Sequence, residues 1–501
     1  MDNAAFMPLV VALPLAGAFL AALLGRKSAP VAQALALLSG LLALVASLWA
    51  ARIAASGAVL VYRVGGWEAP FGISMVLDGL TAFMLVTVNV VAFGVLLFCI
   101  DYLNRFTAKW NFYVLFLLMV AGMNGVIVTG DLFNLFVFLE VAAVASYGLV
   151  AFGTEKHALE AAFKYAVMGT IGSLFILLGI AMLYAHTSTL NMADIARILM
   201  MSSETGPLMM LVSVLFLMGF GMKAAVVPFH AWLPDAHPSA PAPISAMLSG
   251  VLIKALGVYA LCRVFFNIFG APQHVLSILM ILGALSMVLG VFLAIGQWDL
   301  KRLLAYHSIS QIGYVILGIG LGTPLGIMGG LFHLLNHSFF KSLLFLDSGA
   351  VEYATGTRDL RNMGGLRNKM PVTSATTLIA SLSIAGIPPF NGFWSKLLII
   401  LAAVQVERYG YAFWAVLASI LTLASFMKVM RYAFFGSLRE QWAQVKEAPV
   451  FMQLSVSAFA CLCVLGGLLL LPDMREPFLG LASNVLVRGT EYVQIMMTEA
   501  R

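Results

Sequence analysis

The chain is 501 residues long, 62% hydrophobic and only 10% charged, with a formal net charge of +6. Ordinary soluble domains carry roughly 25% charged residues, so this composition excludes a water-soluble globule and predicts an all-α polytopic membrane protein. The positive balance does not point to nucleic acid, because the charges sit mostly at the ends of apolar runs and in flanking loops, with six lysines inside the runs themselves.

The start of the chain carries Asp2 and no positive segment, so its first apolar run reads as a spanning helix rather than a cleaved signal. Apolar runs near the roughly 20-residue spanning length fall at 6–24, 31–52, 79–100, 112–130, 132–152, 158–185, 208–228, 243–262, 275–296, 303–321, 324–346, 372–402, 410–435 and 452–471, which predicts fourteen helices. Between the second and third, AVLVYRVGGWEAPFGISMVLDG alternates and carries Gly-Gly, so a small extramembrane hairpin is expected. Between the sixth and seventh, LNMADIARILMM predicts a short interfacial helix. The polar gaps are too short for a soluble core, so 1–501 reads as one integral membrane domain.

Lys and Arg residues fix the orientation. Loops and helix ends after odd-numbered helices hold fourteen of them, from Arg26 to Lys446, whereas those after even-numbered helices hold Arg52, Arg63, Arg197, Arg263 and Arg408, and the tail adds Arg475, Arg488 and Arg501. Odd loops, including 347–371, are therefore expected in the cytoplasm and both termini outside.

Four cysteines lie in or at the ends of apolar runs, and Cys461-x-Cys463 has neither metal-site spacing nor a histidine nearby. With no Gly-rich phosphate loop or dinucleotide fingerprint either, no metal, cofactor or electron path is expected in this chain.

The stretch GFGMKAAVVPFHAWLPDAHPSAPAPISAMLSGVLIK places Lys223 inside one apolar run, breaks that run at Pro228 and places Lys254 in the next. A lysine at membrane depth costs roughly 2.5–3.5 kcal/mol on insertion scales and by default marks an ion path. A proline there frees a backbone carbonyl, tolerable only where protein or a wet cavity satisfies it. PFHAW at 228–232 is matched by PFNGFW at 389–394 in the twelfth helix, each beside an intramembrane lysine, Lys223 and Lys396. Five helices separate the two, so the second enters from the opposite side, and inverted repeats with broken helices point to a site at the midplane.

The ionisable residues away from helix ends are Glu140, Lys164, Lys223, Lys254, His307, His333, His337, Lys341, Lys396 and Lys428. An isolated buried carboxylate protonates unless an ammonium is near, which makes Lys223 the natural partner of Glu140. Two readings of that pair stand: a structural tie between helices, or a pair whose opening shifts a neighbouring lysine. Buried lysine can release its proton whereas arginine cannot, so lysines deep in several helices, with arginine kept to ends and loops, favour a proton relay. His333, His337 and Lys341 follow at i, i+4 and i+8, one stripe of a single helix. A lone membrane histidine more often makes a helix-to-helix hydrogen bond; a stripe of two with a lysine reads as a relay. His230, His307, Lys341 and Lys164 are secondary candidates.

The stretches GDLFNLFVFLEVAAVASYGLV, KAAVVPFHAWLPDAHPSAPAPISAMLSGVLIKALGVYAL, DLKRLLAYHSISQIGY, FHLLNHSFFKSLLFLDSGAV and AGIPPFNGFWSK resemble the antiporter-like subunits shared by respiratory complex I, Mrp-type Na+/H+ antiporters and membrane-bound energy-converting hydrogenases. The resemblance implies two inverted five-helix repeats, helices four to eight (112–262) and nine to thirteen (275–435), with helices seven and twelve broken, after N-terminal helices at 1–111 and before a last helix and tail at 452–501. It further implies that Glu140 and Lys223 are an ion pair, Lys254 the central relay, His333 and His337 the continuation, and Lys396 the outer terminal site. The implied setting is a prokaryotic inner membrane, and the implied partners are further antiporter-like and small membrane subunits, with hydrogenase or quinone-module subunits in some complexes. H+, and in some complexes Na+, is the implied ion. Lys396 stands where one complex I subunit carries glutamate, and the segment around Glu140 looks most like the Mrp D subunit and its hydrogenase counterpart. The chain stops too soon after its fourteenth helix for the long lateral helix of the largest complex I member. A stand-alone secondary transporter of a small solute or cation is the alternative that the inverted repeat alone suggests.

Overall fold

A computed structural model describes residues 4–201, 206–491 and 493; Asp2 and Arg501, used in the charge reading, lie outside them. All fourteen predicted runs fall on helices. The chain opens with α1 (Leu9–Leu24) and α2 (Ala29–Ala54), followed by the expected hairpin, β1 (Leu60–Arg63) antiparallel to β2 (Ser74–Leu77) with Leu60 opposite Leu77. Then come α3 (Gly79–Tyr102), α4 (Lys109–Val128), α5 (Leu132–Val150), α6 (Lys156–Thr187) and the short α7 (Met192–Met201), which buries Met192, Ala193, Ile195 and Ala196. The seventh run gives α8 (Pro207–Ala224) and is followed by α9 (Leu233–Ser239). After them stand α10 (Ala242–Ile268), α11 (Gln273–Ile295), α12 (Leu300–Gly320) and α13 (Pro324–Thr355). The twelfth run divides into α14 (Pro371–Ala385) and α15 (Asn391–Gln405), and α16 (Tyr409–Val429), α17 (Val450–Leu465) and α18 (Leu481–Val487) complete the bundle. Eleven of the helices among the described residues are long and apolar enough to cross a membrane.

Burial sorts these helices into an inner and an outer set. Every residue of α10 is buried, and α12 and the middle of α13 nearly so, whereas α2, α6 and α11 present Leu, Phe and Val outward along one face. Apolar surface facing out is the arrangement a lipid solvent selects, so the polar residues of α10, α12 and α13 face each other.

Two helices break. α8 stops where Ala225 turns left-handed at φ 54°, and α14 stops at Gly386 with φ 81°, each amide bonding back to the preceding turn. Side chains satisfy groups that the breaks release: Trp232 Nε1 donates to Met222 O at 3.1 Å and Ser286 Oγ accepts from Val227 N at 2.9 Å. In the second break, Asn336 Nδ2 donates to Asn391 O at 3.0 Å. The two lysines are not in matching places, however. Lys223 precedes Pro228 by five residues while Lys396 follows Pro389 by seven, so they occupy opposite arms of their breaks.

α10 is wound in π turns over Leu248–Leu252, Lys254–Tyr259 and Arg263–Ile268. Such wide turns release backbone groups from the i→i−4 ladder and recur at functional sites. At Gly257 an added Cβ would come within 2.5 Å of Ala224 N, so this glycine lets α10 pack directly on the end of α8.

Two expectations are corrected here. Arg263 is not in a loop but 7% exposed within α10, so arginine is not confined to ends and loops. It is tolerated because Asp78 meets it at 2.7 Å and Thr81, Tyr259 and Asn267 accept its remaining donors. Asp347, expected in the loop that begins after 346, lies inside α13 instead, because that helix continues to Thr355.

Candidate functional site

Glu140 on α5 and Lys223 on α8 do meet: Nζ stands 3.6 Å from Oε1. That separation is a charge contact longer than a hydrogen bond, and the Ser173 hydroxyl of α6 donates to the same carboxylate oxygen. Their meeting depends on α6 and α8 touching backbone to backbone, since a Cβ on Gly219 would lie 2.8 Å from Gly172 O.

Lys254 is fully buried and has no carboxylate partner among the described residues. Its ammonium donates to Ser249 O at 2.6 Å and Gly250 O at 2.5 Å, both on its own π-wound helix. Ser249 Oγ in turn meets Ser308 Oγ of α12 at 2.7 Å. Lys341 of α13, also fully buried, donates to Leu304 O at 2.5 Å and stands near enough to Lys254 to repel it.

From there the polar residues line up along α13. Among the described residues His337 has no hydrogen-bond partner at either ring nitrogen, and its ring stacks 6.3 Å from that of His333. His333 is held at both nitrogens, by Ser395 Oγ at 2.9 Å and Gln311 Oε1 at 3.1 Å. The Tyr314 ring lies 5.4 Å from His333, and Lys396 Nζ stands 4.6 Å from the centre of that same tyrosine ring while donating to Ile384 O at 2.7 Å. Buried amines and imidazoles, all but His337 held by hydrogen bonds, therefore lie from α10 to the second break.

Four sequence candidates lie off this row. Lys164 is half exposed and pairs with Glu160 at 2.8 Å and Asp235 at 3.1 Å. Lys428 is partly buried and donates to Ile295 O and Gln297 O. His230 lies partly buried in the first break with Nδ1 unpartnered. His307 sits between α12 and α16, with Nε2 2.9 Å from Ser425 Oγ.

Several groups that carry no clear signal in the sequence gather elsewhere. Lys301, at the start of α12 where a solvated charge is expected, is 2% exposed; it meets Glu352 at 3.0 Å and donates to Ala240 O at 3.1 Å. Arg358 joins them, 3.3 Å from Asp299 and 3.8 Å from Glu352. These residues floor a cleft of about 550 Å³ that also reaches Glu155, His157 and Asp359. At its rim the Arg361 guanidinium, hydrogen-bonded to Asp359, holds that carboxyl below its ordinary value. Just behind the floor His237 is fully buried with neither nitrogen partnered. Its only sequence signal is a histidine within a proline-rich turn.

A helical membrane bundle with two broken helices and buried ionisable side chains beside them has the architecture of the ion-translocating class of membrane proteins. Residues 129–422 match the family described as NADH:quinone oxidoreductase/Mrp antiporter, transmembrane, and the chain belongs to that family. It is 39% identical over 411 residues to the D subunit of the Na(+)/H(+) antiporter of Alkalihalophilus pseudofirmus, covering 81% of this chain and 83% of the relative. It is 38% identical over 448 residues to the N subunit of the NADH-quinone oxidoreductase of Desulforudis audaxviator, covering 88% and 89%. A chain in the structure of the Mrp complex from Dietzia sp. DQ12-45-1b superposes with a TM-score of 0.91 at 28% identity, covering 99% of this chain and all of that one.

Proposed function

We propose that this chain is the proton-translocating subunit of a multisubunit membrane complex of the Mrp or complex I type, and that protons cross it through Lys254, His337, His333 and Lys396 under the control of the Glu140–Lys223 pair. The observation that carries this reading is the set of buried titratable groups between α10 and the second break, of which Lys254, His333 and Lys396 are held by neutral partners and so free to change charge, with His337 stacked on His333. Its relatives are named as subunits, which favours action within a complex over the stand-alone transporter. Partner subunits supply the driving chemistry, whether Na+ exchange or electron transfer.

The proposed setting is a prokaryotic plasma membrane with the cleft of Lys301, Glu352 and Arg358 on the cytoplasmic side and both termini outside. The loops on the cleft side hold most of the Lys and Arg, and moving Arg263 from a loop into α10 widens that difference. The two breaks fit an inverted pair of five-helix units, 112–262 and 275–435, with α8 and α14 in corresponding roles.

The test is proton pumping by the assembled complex in vesicles. Lys254→Arg keeps the charge but cannot titrate, so it should nearly abolish pumping while assembly of the complex is unchanged. Wild-type pumping by that variant removes Lys254 from the path.

A further inference from the structure

We propose that Asp347 is a proton-carrying carboxyl on a second route, from Glu447 at the membrane surface to Lys396 along one face of α14; it rests on the proton path proposed above. Asp347 is 1% exposed, and its two oxygens are held by hydroxyls from α14, Thr376 Oγ1 to Oδ1 at 2.9 Å and Thr377 Oγ1 to Oδ2 at 3.0 Å. The ionisable groups that face it are Glu447 from the loop before α17 and Cys463 on α17. A buried carboxyl held only by hydroxyls does not clamp helices by charge.

The rest of the route is laid out on α14. The partly exposed Glu447 caps its start, accepting Val372 N at 2.7 Å, Thr373 N at 3.3 Å and the Thr373 hydroxyl at 2.7 Å. Thr373, Thr377 and Ser381 follow at i, i+4 and i+8, on one face of the helix. Ser381 is 3% exposed and its hydroxyl has no partner among the described residues. One turn further is Ile384, whose carbonyl receives the Lys396 ammonium. From Thr373 to Ile384 the helix rises about 16 Å, roughly half of a ~30 Å hydrocarbon core.

The hydroxyls give this file two settings. Thr376 and Thr377 also reach the carbonyls of Val372 and Thr373, at 3.1 Å and 2.7 Å. When they turn to those carbonyls, the Asp347 oxygens are free to take a proton from the Glu447 side. When Asp347 gives that proton towards Lys396, it returns to carboxylate and the hydroxyls donate to it again. One proton enters at Glu447 for each one that reaches the Lys396 amine.

The experiment compares Asp347→Asn and Asp347→Glu in the assembled complex, with pumping measured in vesicles beside Lys254→Arg. Asparagine keeps an acceptor for the hydroxyls but cannot carry a proton, so pumping should fall below wild type while the path through Lys254 continues. Glutamate should restore most of it. Wild-type pumping in Asp347→Asn, or equal loss in both variants, overturns the route. A block in Lys254→Arg with none in Asp347→Asn overturns the route alone, whereas full pumping in both overturns the proton path as well. A second readout is the infrared difference spectrum on a pH step. A protonated-carboxyl band that moves in Asp347→Glu supports the assignment, and identical spectra overturn it.

Discussion

Oε1 of Glu140 is shared: the Ser173 hydroxyl bonds it, and the Lys223 ammonium stands 3.6 Å away without bonding anything. The carboxylate is thus anchored to α6 while the ammonium is held by charge alone, so the lysine is the member free to leave. Removing Glu140 strands the buried Lys223 charge, at about 3–5 kcal/mol, whereas the Glu140 carboxylate, 29% exposed, loses its partner in a less buried place. Glu140→Gln and Lys223→Ala should each impair pumping, and the double variant should lose less than the sum. A double-mutant cycle on pumping rates checks this, and strict additivity counts against a working pair.

Lys396 donates to the Ile384 carbonyl and stands over the Tyr314 ring face, and neither contact pairs it with a fixed opposite charge. Lys396→Glu should therefore keep partial activity, because a carboxylic acid can also exchange a proton there, whereas Lys396→Leu should block. Pumping at matched assembly separates them. Equal losses would mean that this position needs a fixed positive charge, and its assignment as the outer terminal site would be abandoned.

Among the described residues neither buried ring nitrogen of His337 meets a protein partner, which costs about 1–3 kcal/mol per group wherever water does not satisfy it. Replacing it with phenylalanine fills similar space with no polar atom. His337→Phe should raise the melting temperature of the complex or leave it unchanged, yet impair pumping. A variant that is destabilised and pumps normally would make this histidine a packing residue.

The Asp78–Arg263 pair ties α3 to the far end of α10 and lies away from the row of lysines and histidines. Asp78→Asn or Arg263→Met alone should cost about 3–5 kcal/mol and lower the yield of assembled complex. Replacing both with apolar residues of similar volume should recover much of that yield, because burying two paired charges gains little over packing. Yields of purified complex from the three variants test the claim.

What could be read from the sequence followed from periodicity and length. The fourteen helices, the hairpin and the interfacial helix were legible because a membrane demands runs of fixed length and each interruption carries Gly, Pro or charge. The Glu140–Lys223 contact was legible because few charges lie that deep. The partners of Lys254, Lys341 and Lys396 were not, since backbone carbonyls have no signature in a sequence and those at Lys254 depend on the π winding of α10. Asp347 was lost for another reason: the polar letters of LDSGAVEY end the apolar run, while the helix carries on for two more turns. Lys301 and Arg263 were misplaced because a charge near the end of a run reads as solvated until its buried partner, Glu352 or Asp78, is seen.

The backbone carbonyls around the amines carry one more consequence. A neutral amine still has two N–H donors, so Lys254 can lose its proton and keep both of its contacts, to Ser249 O and Gly250 O. No partner must be exchanged when the charge goes, although both bonds lengthen and weaken as charge-assisted donors become neutral ones. The energy difference between the two states is then set by what burial costs the charged form and, at a distance, by Lys341. Each such lysine behaves as a stationary terminal of a circuit: its occupancy reports the potential at that point, and a change in charge on one terminal is felt at the next without any helix having to move.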